Sequence, residues 1–66
     1  MTPKQLRAAR ALIGLSQEEL ARAASVSRKT LADYEKDVRK PYERTLRDIR
    51  TVLVGKGVIF LDADVA

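Results

Sequence analysis

The segment Leu15–Tyr34 constrains this chain more than any other part of the sequence. Residues 17–24 and residues 28–36 each carry apolar side chains at helical spacing, and only three residues separate the two runs. This spacing predicts two short helices joined by a tight turn. The second helix begins with four consecutive side chains that can hydrogen-bond, which are Ser27, Arg28, Lys29 and Thr30.

The first two helices have local start signals. Thr2 is a favoured N-cap residue and Pro3 suits the first helical position, so a helix is predicted over residues 3–13, followed by a glycine that can end it. Ser16 and Glu19 stand three residues apart, which is the spacing of a capping box. The second helix should therefore begin directly after Ser16.

A further helix is predicted over residues 42–54, after a polar loop that ends at Pro41. Apolar residues recur in it at spacings of three and four, and Gly55 and Gly57 follow as helix breakers. Three arginines, Arg44, Arg47 and Arg50, lie three residues apart along one side of this helix. They form either a solvated face or a contact with a partner or a nucleic-acid backbone.

In the tail segment Val58–Asp62, the first four side chains are β-branched, aromatic or aliphatic, and the last is acidic. This pattern predicts a short strand. A strand without a partner leaves its backbone N–H and C=O groups unpaired. Pairing with the same strand of a second copy across a two-fold axis would satisfy them. Packing on the preceding helix and pairing with a different protein stay open. The candidate dimerisation residues are Val58, Ile59, Phe60 and Leu61.

The composition excludes several classes of site. The 66 residues form one small domain and include no Cys and no His. Disulfides and His-dependent catalysis are therefore excluded, and we expect no zinc or other metal site, no enzyme, no cofactor and no small-molecule ligand. The apolar run at residues 58–61 is too short for a bilayer, and the N-terminus lacks the apolar stretch of a signal peptide, so we expect a cytoplasmic protein.

The net charge of +4 belongs to the helical part of the chain. Residues 28–50 hold eight basic and five acidic side chains, whereas residues 51–66 hold one basic and two acidic. A basic excess is compatible with phosphate binding, although many soluble proteins have one. Basic and hydroxyl side chains at the start of a helix are the groups that contact bases and phosphates in a DNA groove.

The run Gly14–Ala21, followed at a fixed interval by Val26-Ser27, is the most specific motif of the sequence. Together with single residues elsewhere, it resembles the phage Cro and repressor (XRE-type) helix-turn-helix domain over about residues 4–55. The resemblance implies an all-α, lambda-repressor-like DNA-binding domain of four to five helices over residues 1–55, and a short C-terminal β-strand and possible dimerisation element within residues 56–66. The single positions are Leu6, Arg7, Arg10, Leu31, Tyr34, Glu35 and Pro41.

The resemblance also implies roles for individual residues. Gln17 matches the family position that donates to a DNA phosphate at the start of helix two, where free backbone N–H groups also favour an anion. Arg10 and Glu35 match an ion pair between helices one and three. The positions that face DNA, on the recognition helix and the loop after it, are Ser27, Arg28, Lys29, Thr30, Asp33, Lys36, Arg39 and Lys40.

Chemistry supports part of this assignment, and two positions depart from the family pattern. Arg28 and Lys29 could reach guanine O6 and N7, whereas Asp33 would repel phosphate and either accepts from cytosine N4 or pairs with a nearby basic side chain. Ser25 stands where many members have Gly in the turn, and Asp37 where Gly or Asn often ends helix three. A left-handed non-Gly residue costs about 1–2 kcal/mol, so we expect the turn to be strained or differently shaped.

These features together predict a sequence-specific transcriptional regulator, a repressor, that binds double-stranded DNA as a homodimer and inserts helix 28–36 into the major groove. The alternative is a protein-interaction module of antitoxin-like or antirepressor type that uses the C-terminal strand. Salt-dependent, sequence-selective DNA binding by the isolated chain would distinguish the two hypotheses.

Overall fold

A computed structural model describes residues 1–61 of the chain, and this part contains four α-helices. In chain order they are α1 (Pro3–Ile13), α2 (Gln17–Ala24), α3 (Arg28–Glu35) and α4 (Glu43–Gly55). The first two helices begin and end where the sequence predicts. The third ends one residue earlier than predicted, and the fourth is shifted by one residue towards the C-terminus.

Side-chain caps explain the starts of the first three helices. Thr2 and Gln5 form a capping box at α1, with donor–acceptor distances of 2.9 and 3.1 Å, and Ser16 and Glu19 form one at α2, at 2.9 and 3.0 Å. The Ser27 hydroxyl accepts from the Thr30 backbone N–H at 3.0 Å and caps α3. The predicted boundaries of α1 and α2 hold because these signals are local.

All four helices end in the same backbone motif. In each, a residue with positive φ follows the last turn: Gly14, Ser25, Asp37 and Gly57. The backbone N–H of the next residue then bonds back to a carbonyl five positions earlier, as in Leu15 to Arg10 at 3.0 Å and Val26 to Ala21 at 2.9 Å. This is the Schellman arrangement.

Gly57, with φ of 99°, ends the last of these helices. The prediction that Gly55 breaks the helix is wrong, because Gly55 is its last helical residue. Glycine weakens a helix by only about 1 kcal/mol relative to alanine, so it can be accommodated within the final turn.

The core lies where the inner faces of the four helices meet. α2 packs against both α3 and α4, and α1 packs against α3. The small residues Ala21 and Ala24 lie on the buried face of α2. Five side chains are fully buried, namely Leu6, Leu20, Leu31, Ile49 and Leu53.

The predicted strand Val58–Asp62 is not found in the part of the chain that the structure describes, where residues 58–61 carry no strand pairing; Asp62 lies outside it. A strand is defined by its hydrogen-bonded neighbour, and none of the described residues supplies one. Val58 is instead buried in the core, and the Arg50 guanidinium lies 5.0 Å from the centre of the Phe60 ring. The tail therefore packs on the helices through alternate residues.

Candidate nucleic-acid interface

Helix α3 has one buried side and one exposed side at its N-terminal end. Leu31 and Tyr34 point into the core, whereas Arg28 and Lys29 are exposed on the first turn. The apolar residues fix the rotation of the helix, because turning it would expose them to water. The two cations are consequently held outward.

The hydroxyl groups at the start of α3 are engaged with each other. The Ser27 hydroxyl donates to the Thr30 hydroxyl at 2.8 Å while accepting from the Thr30 backbone N–H. Ser27 is exposed, and Thr30 is half-buried. Both predicted contact residues thus first serve the helix cap, and the O–H of Thr30 is the donor that a ligand could still accept from.

Asp33 lies one helical turn after Lys29 and pairs with it. The Lys29 ammonium is 3.0 Å from the Asp33 carboxylate, and the two side chains are 81% and 21% exposed. Of the two roles considered for Asp33, the free protein shows the pairing with a basic side chain. The pair also fixes the direction of the long lysine side chain across the surface of α3.

Gln17 is the first residue of α2, and its side chain turns towards α3. Its amide nitrogen donates to the Glu35 carboxylate at 3.0 Å, and the residue is half-buried. An amide NH₂ has two N–H donors, so the contact with Glu35 occupies one and leaves the other. No motif in the sequence predicted this contact.

Glu35 is buried to 3% exposure, and its carboxylate is enclosed by donors. Arg10 binds it through two nitrogens, at 2.6 and 2.8 Å, and donates with a third to the Leu15 carbonyl at 2.9 Å. Arg7 donates to the Glu35 backbone carbonyl. The structure thus brings together the two residues predicted to pair. The Glu35 carboxylate links α1, α2 and α3, and the Arg10 guanidinium also binds the turn after α1.

The pKa of the Glu35 carboxyl lies below the ordinary glutamate value. Burial is the largest influence and raises it, but the hydrogen bonds from Arg10 and Gln17 and the positive charges of Arg10 and Arg7 together outweigh burial. Glu35 is therefore a buried anion whose negative charge is balanced locally.

The loop between α3 and α4 brings two of the predicted basic residues towards α3. Arg39 and Lys40 line one groove together with Thr30. Lys36, which was predicted to act with them, lies at the other end of α3, in a groove shared with Lys4 and Arg7 of α1. The predicted loop contacts therefore divide between two places.

A protein-family model described as Helix-turn-helix matches residues 6–53, which is most of the chain. The chain belongs to the helix-turn-helix family. The family is one of DNA-binding domains of XRE type, as the motif over residues 14–27 indicated. No curated protein matched the sequence significantly.

In this helix-turn-helix chain, α2 and α3 are the two helices that name the family, and Ser25 and Val26 form the turn between them. Ser25 has φ of 57°, so the turn takes the left-handed geometry that glycine usually supplies. Val26 packs against the core and holds the two helices together. The departure at Ser25 therefore leaves the turn geometry intact.

Sequence reasoning missed other residues beside the helix-turn-helix unit. Tyr42 and Thr45, at the start of α4, line the groove that holds Arg39 and Lys40, and Tyr42 is among the most exposed large side chains described. A signal was present, because the N-cap position of α4 carries Tyr, which makes no side-chain cap hydrogen bond. Such a position leaves the first N–H groups of α4 open to other acceptors.

Among residues 1–61, no cluster of acidic side chains is placed to hold a metal ion. Within the same residues, none of the helices is both long and apolar enough to cross a membrane.

Proposed function

We propose that this helix-turn-helix protein is a sequence-specific transcriptional repressor of the cytoplasm, and that it inserts α3 into the major groove of DNA. The observation that carries the proposal is the pair of exposed cations, Arg28 and Lys29, on the first turn of a helix whose opposite side is buried. The major groove admits one α-helix, and the N-terminal residues of a recognition helix contact base edges. Arg28 and Lys29 are the residues we assign to guanine.

Phosphate contacts on either side of the groove complete the proposed interface. Gln17 has one N–H left at the N-terminus of α2, where the helix dipole favours an anion. Arg39 and Lys40 lie beside Thr30 and would neutralise the backbone near α3, and Lys36 would do so at the far end of the helix. Such contacts release counterions, so affinity should fall steeply as salt increases.

The experiment is selection of duplexes from a random pool, followed by affinity measurements on the selected duplex at several salt concentrations. Replacing Arg28 by Ala should weaken binding by about 1–3 kcal/mol and relax the preference at one base pair. Arg22→Ala is the matched control, because it removes one cation that is 76% exposed and lies outside the proposed interface. We expect it to leave the selected sequence unchanged.

Two results would overturn the groove assignment. One is a pool that yields no preferred sequence, and the other is unchanged affinity after both Arg28→Ala and Lys29→Ala. The selected sequences also report on symmetry. If only the wild-type protein binds them, and if they are palindromic with half-sites about 34 Å apart, the recognition helices of two copies act together.

We also propose that residues 1–55 bind DNA and residues 56–66 pair two copies. Supporting this, Ile59 and Leu61 are each 82% exposed, and Leu12 of α1, which lines the same groove, is 81% exposed. An exposed apolar segment that is not paired as a strand favours strand pairing, and burial of these side chains would add about 1.5–3 kcal/mol for each one fully covered.

Sedimentation of Ile59→Asp tests this pairing. Because Ile59 is exposed in the single chain, the substitution should remove the dimer and leave the fold intact, whereas Val58→Asp should damage both. A wild-type chain that stays monomeric at high micromolar concentration would exclude pairing with a second copy. The interaction-module alternative would then retain the same exposed tail for a different protein.

A further inference from the structure

The Gln17 amide is oriented before any ligand is present. Its nitrogen lies 3.0 Å from a Glu35 carboxylate oxygen. A carboxylate only accepts hydrogen bonds, so the amide must present N–H to Glu35 and its own oxygen must face away. The amide plane is thereby fixed in one of its two orientations, and its second N–H points away from the bonded carboxylate oxygen.

The acceptor in this contact is itself immobile. Glu35 is buried, and its carboxylate is bound by Arg10 through two nitrogens at 2.6 and 2.8 Å. Arg7 also donates to the backbone carbonyl of Glu35. Hydrogen bonds to an ionised acceptor are roughly twice as strong as neutral ones, so Glu35 is a firm point of attachment for the longer and more flexible Gln17 side chain.

We infer that Glu35 is a positioning residue for DNA binding, which holds the Gln17 amide so that its remaining N–H is presented to a phosphate oxygen. The inference rests on the proposed function, in which Gln17 contacts phosphate. Ordering a flexible side chain in advance removes an entropic cost of binding, and its loss should weaken affinity about 2- to 12-fold. This contribution should pass through Gln17 alone.

A double-mutant cycle on the full chain measures that dependence. The four proteins are wild type, Gln17→Ala, Glu35→Gln and the double variant, and the readout is affinity for one selected duplex at fixed salt, with folding checked by circular dichroism at the same temperature. We expect Glu35→Gln to weaken binding in the wild type and to have no further effect in Gln17→Ala. Glu18→Gln is the control, because it removes one exposed carboxylate from α2, the helix that carries Gln17.

Nuclear magnetic resonance of the wild type supplies a second readout that needs no variant. As the pH is lowered through the titration of Glu35, the side-chain amide signals of Gln17 should shift while those of Gln5 stay in place, because Gln5 bonds to Thr2 instead. Gln17 signals that do not respond to Glu35 would overturn the inference, whether or not Glu35→Gln folds.

The outcomes separate the inference from the proposed function. If Glu35→Gln weakens binding equally with and without Gln17, Glu35 acts through the stability of the fold and the positioning role is wrong. If neither Gln17→Ala nor the substitutions at Arg28 and Lys29 change affinity, the proposed DNA interface itself fails. If the effects of Gln17→Ala and Glu35→Gln are coupled, and Arg28→Ala weakens binding as expected, both the positioning role and the proposed function are supported.

Discussion

Arg10 of α1 holds the Glu35 carboxylate of α3 by two parallel hydrogen bonds, at 2.6 and 2.8 Å. Its third nitrogen donates to the Leu15 carbonyl, in the turn before α2. One guanidinium thus joins three parts of the chain, which are α1, the turn after it, and α3. In a domain of this size the buried apolar area is small, so breaking such a connection, which leaves a buried charge without its partner, should remove a large fraction of the stability.

Replacing Arg10 by Met should lower the free energy of unfolding by about 3 kcal/mol, because the buried Glu35 would lose its main partner. Arg22→Met is the matched control. Arg22 is 76% exposed and lies 3.6 Å from Glu18, so its loss should cost less than about 0.5 kcal/mol. Urea denaturation of the two variants tests the difference, and equal losses would show that burial of the pair contributes nothing.

Stability should also decrease in acid through Glu35. Its pKa is lower in the folded chain than in the unfolded chain, so the stabilisation is complete above about pH 4.3 and is lost as the pH falls through the folded value. Glu19, whose pKa is lowered by hydrogen bonds from Ser16, acts in the same direction. The free energies of unfolding of wild type and Glu35→Gln should converge as the pH falls. A difference that stays constant with pH would exclude Glu35 as the source of the acid destabilisation.

Asp33→Asn should strengthen binding to duplexes of arbitrary sequence. The substitution removes a negative charge from the side of α3 that we propose faces DNA, and it releases the Lys29 ammonium, now 3.0 Å from the Asp33 carboxylate. The slope of log affinity against log salt should steepen by up to about one unit. Fluorescence anisotropy measures this slope. Asp48→Asn, which changes the same charge on the exposed side of α4, should leave the slope as it is.

Ser25→Gly should stabilise the fold by about 0.5–1 kcal/mol. The backbone of Ser25 has φ of 57°, a conformation that costs a non-Gly residue about 1–2 kcal/mol, and part of the gain is offset because glycine makes the unfolded chain more flexible. Ser25→Ala provides the comparison, because it keeps the strain. A thermal midpoint for Gly at or below that for Ala would contradict this account of the turn.

Local signals explain why much of the helical fold was predictable from the sequence. The starts of α1 and α2 depend on caps three residues apart, and the ion pair of Arg10 and Glu35 followed from family positions. The end of α4 was not predictable, because Gly55 and Gly57 are equivalent in sequence and only one takes positive φ. The periodicity that predicted the helices does not distinguish these two glycines.

The contact between Gln17 and Glu35 and the outcome for the tail needed the structure. Eighteen positions separate the first pair, and their meeting depends on how α2 and α3 cross. The tail has the composition of a strand, but pairing requires a neighbouring strand and residues 1–61 contain none, so Val58 packs inward and Ile59 stays exposed. The roles assigned to Ser27, Thr30 and the basic loop residues stay predictions.

The two sides of α3 have separate consequences for variation. Leu31 and Tyr34 are committed to the core, whereas Arg28 and Lys29 are exposed. A library randomised at positions 28 and 29 would therefore keep a single scaffold, and its members would melt at similar temperatures while retaining different duplexes. Under the proposed function, the DNA sequence that such a protein recognises could therefore be changed without changing its fold.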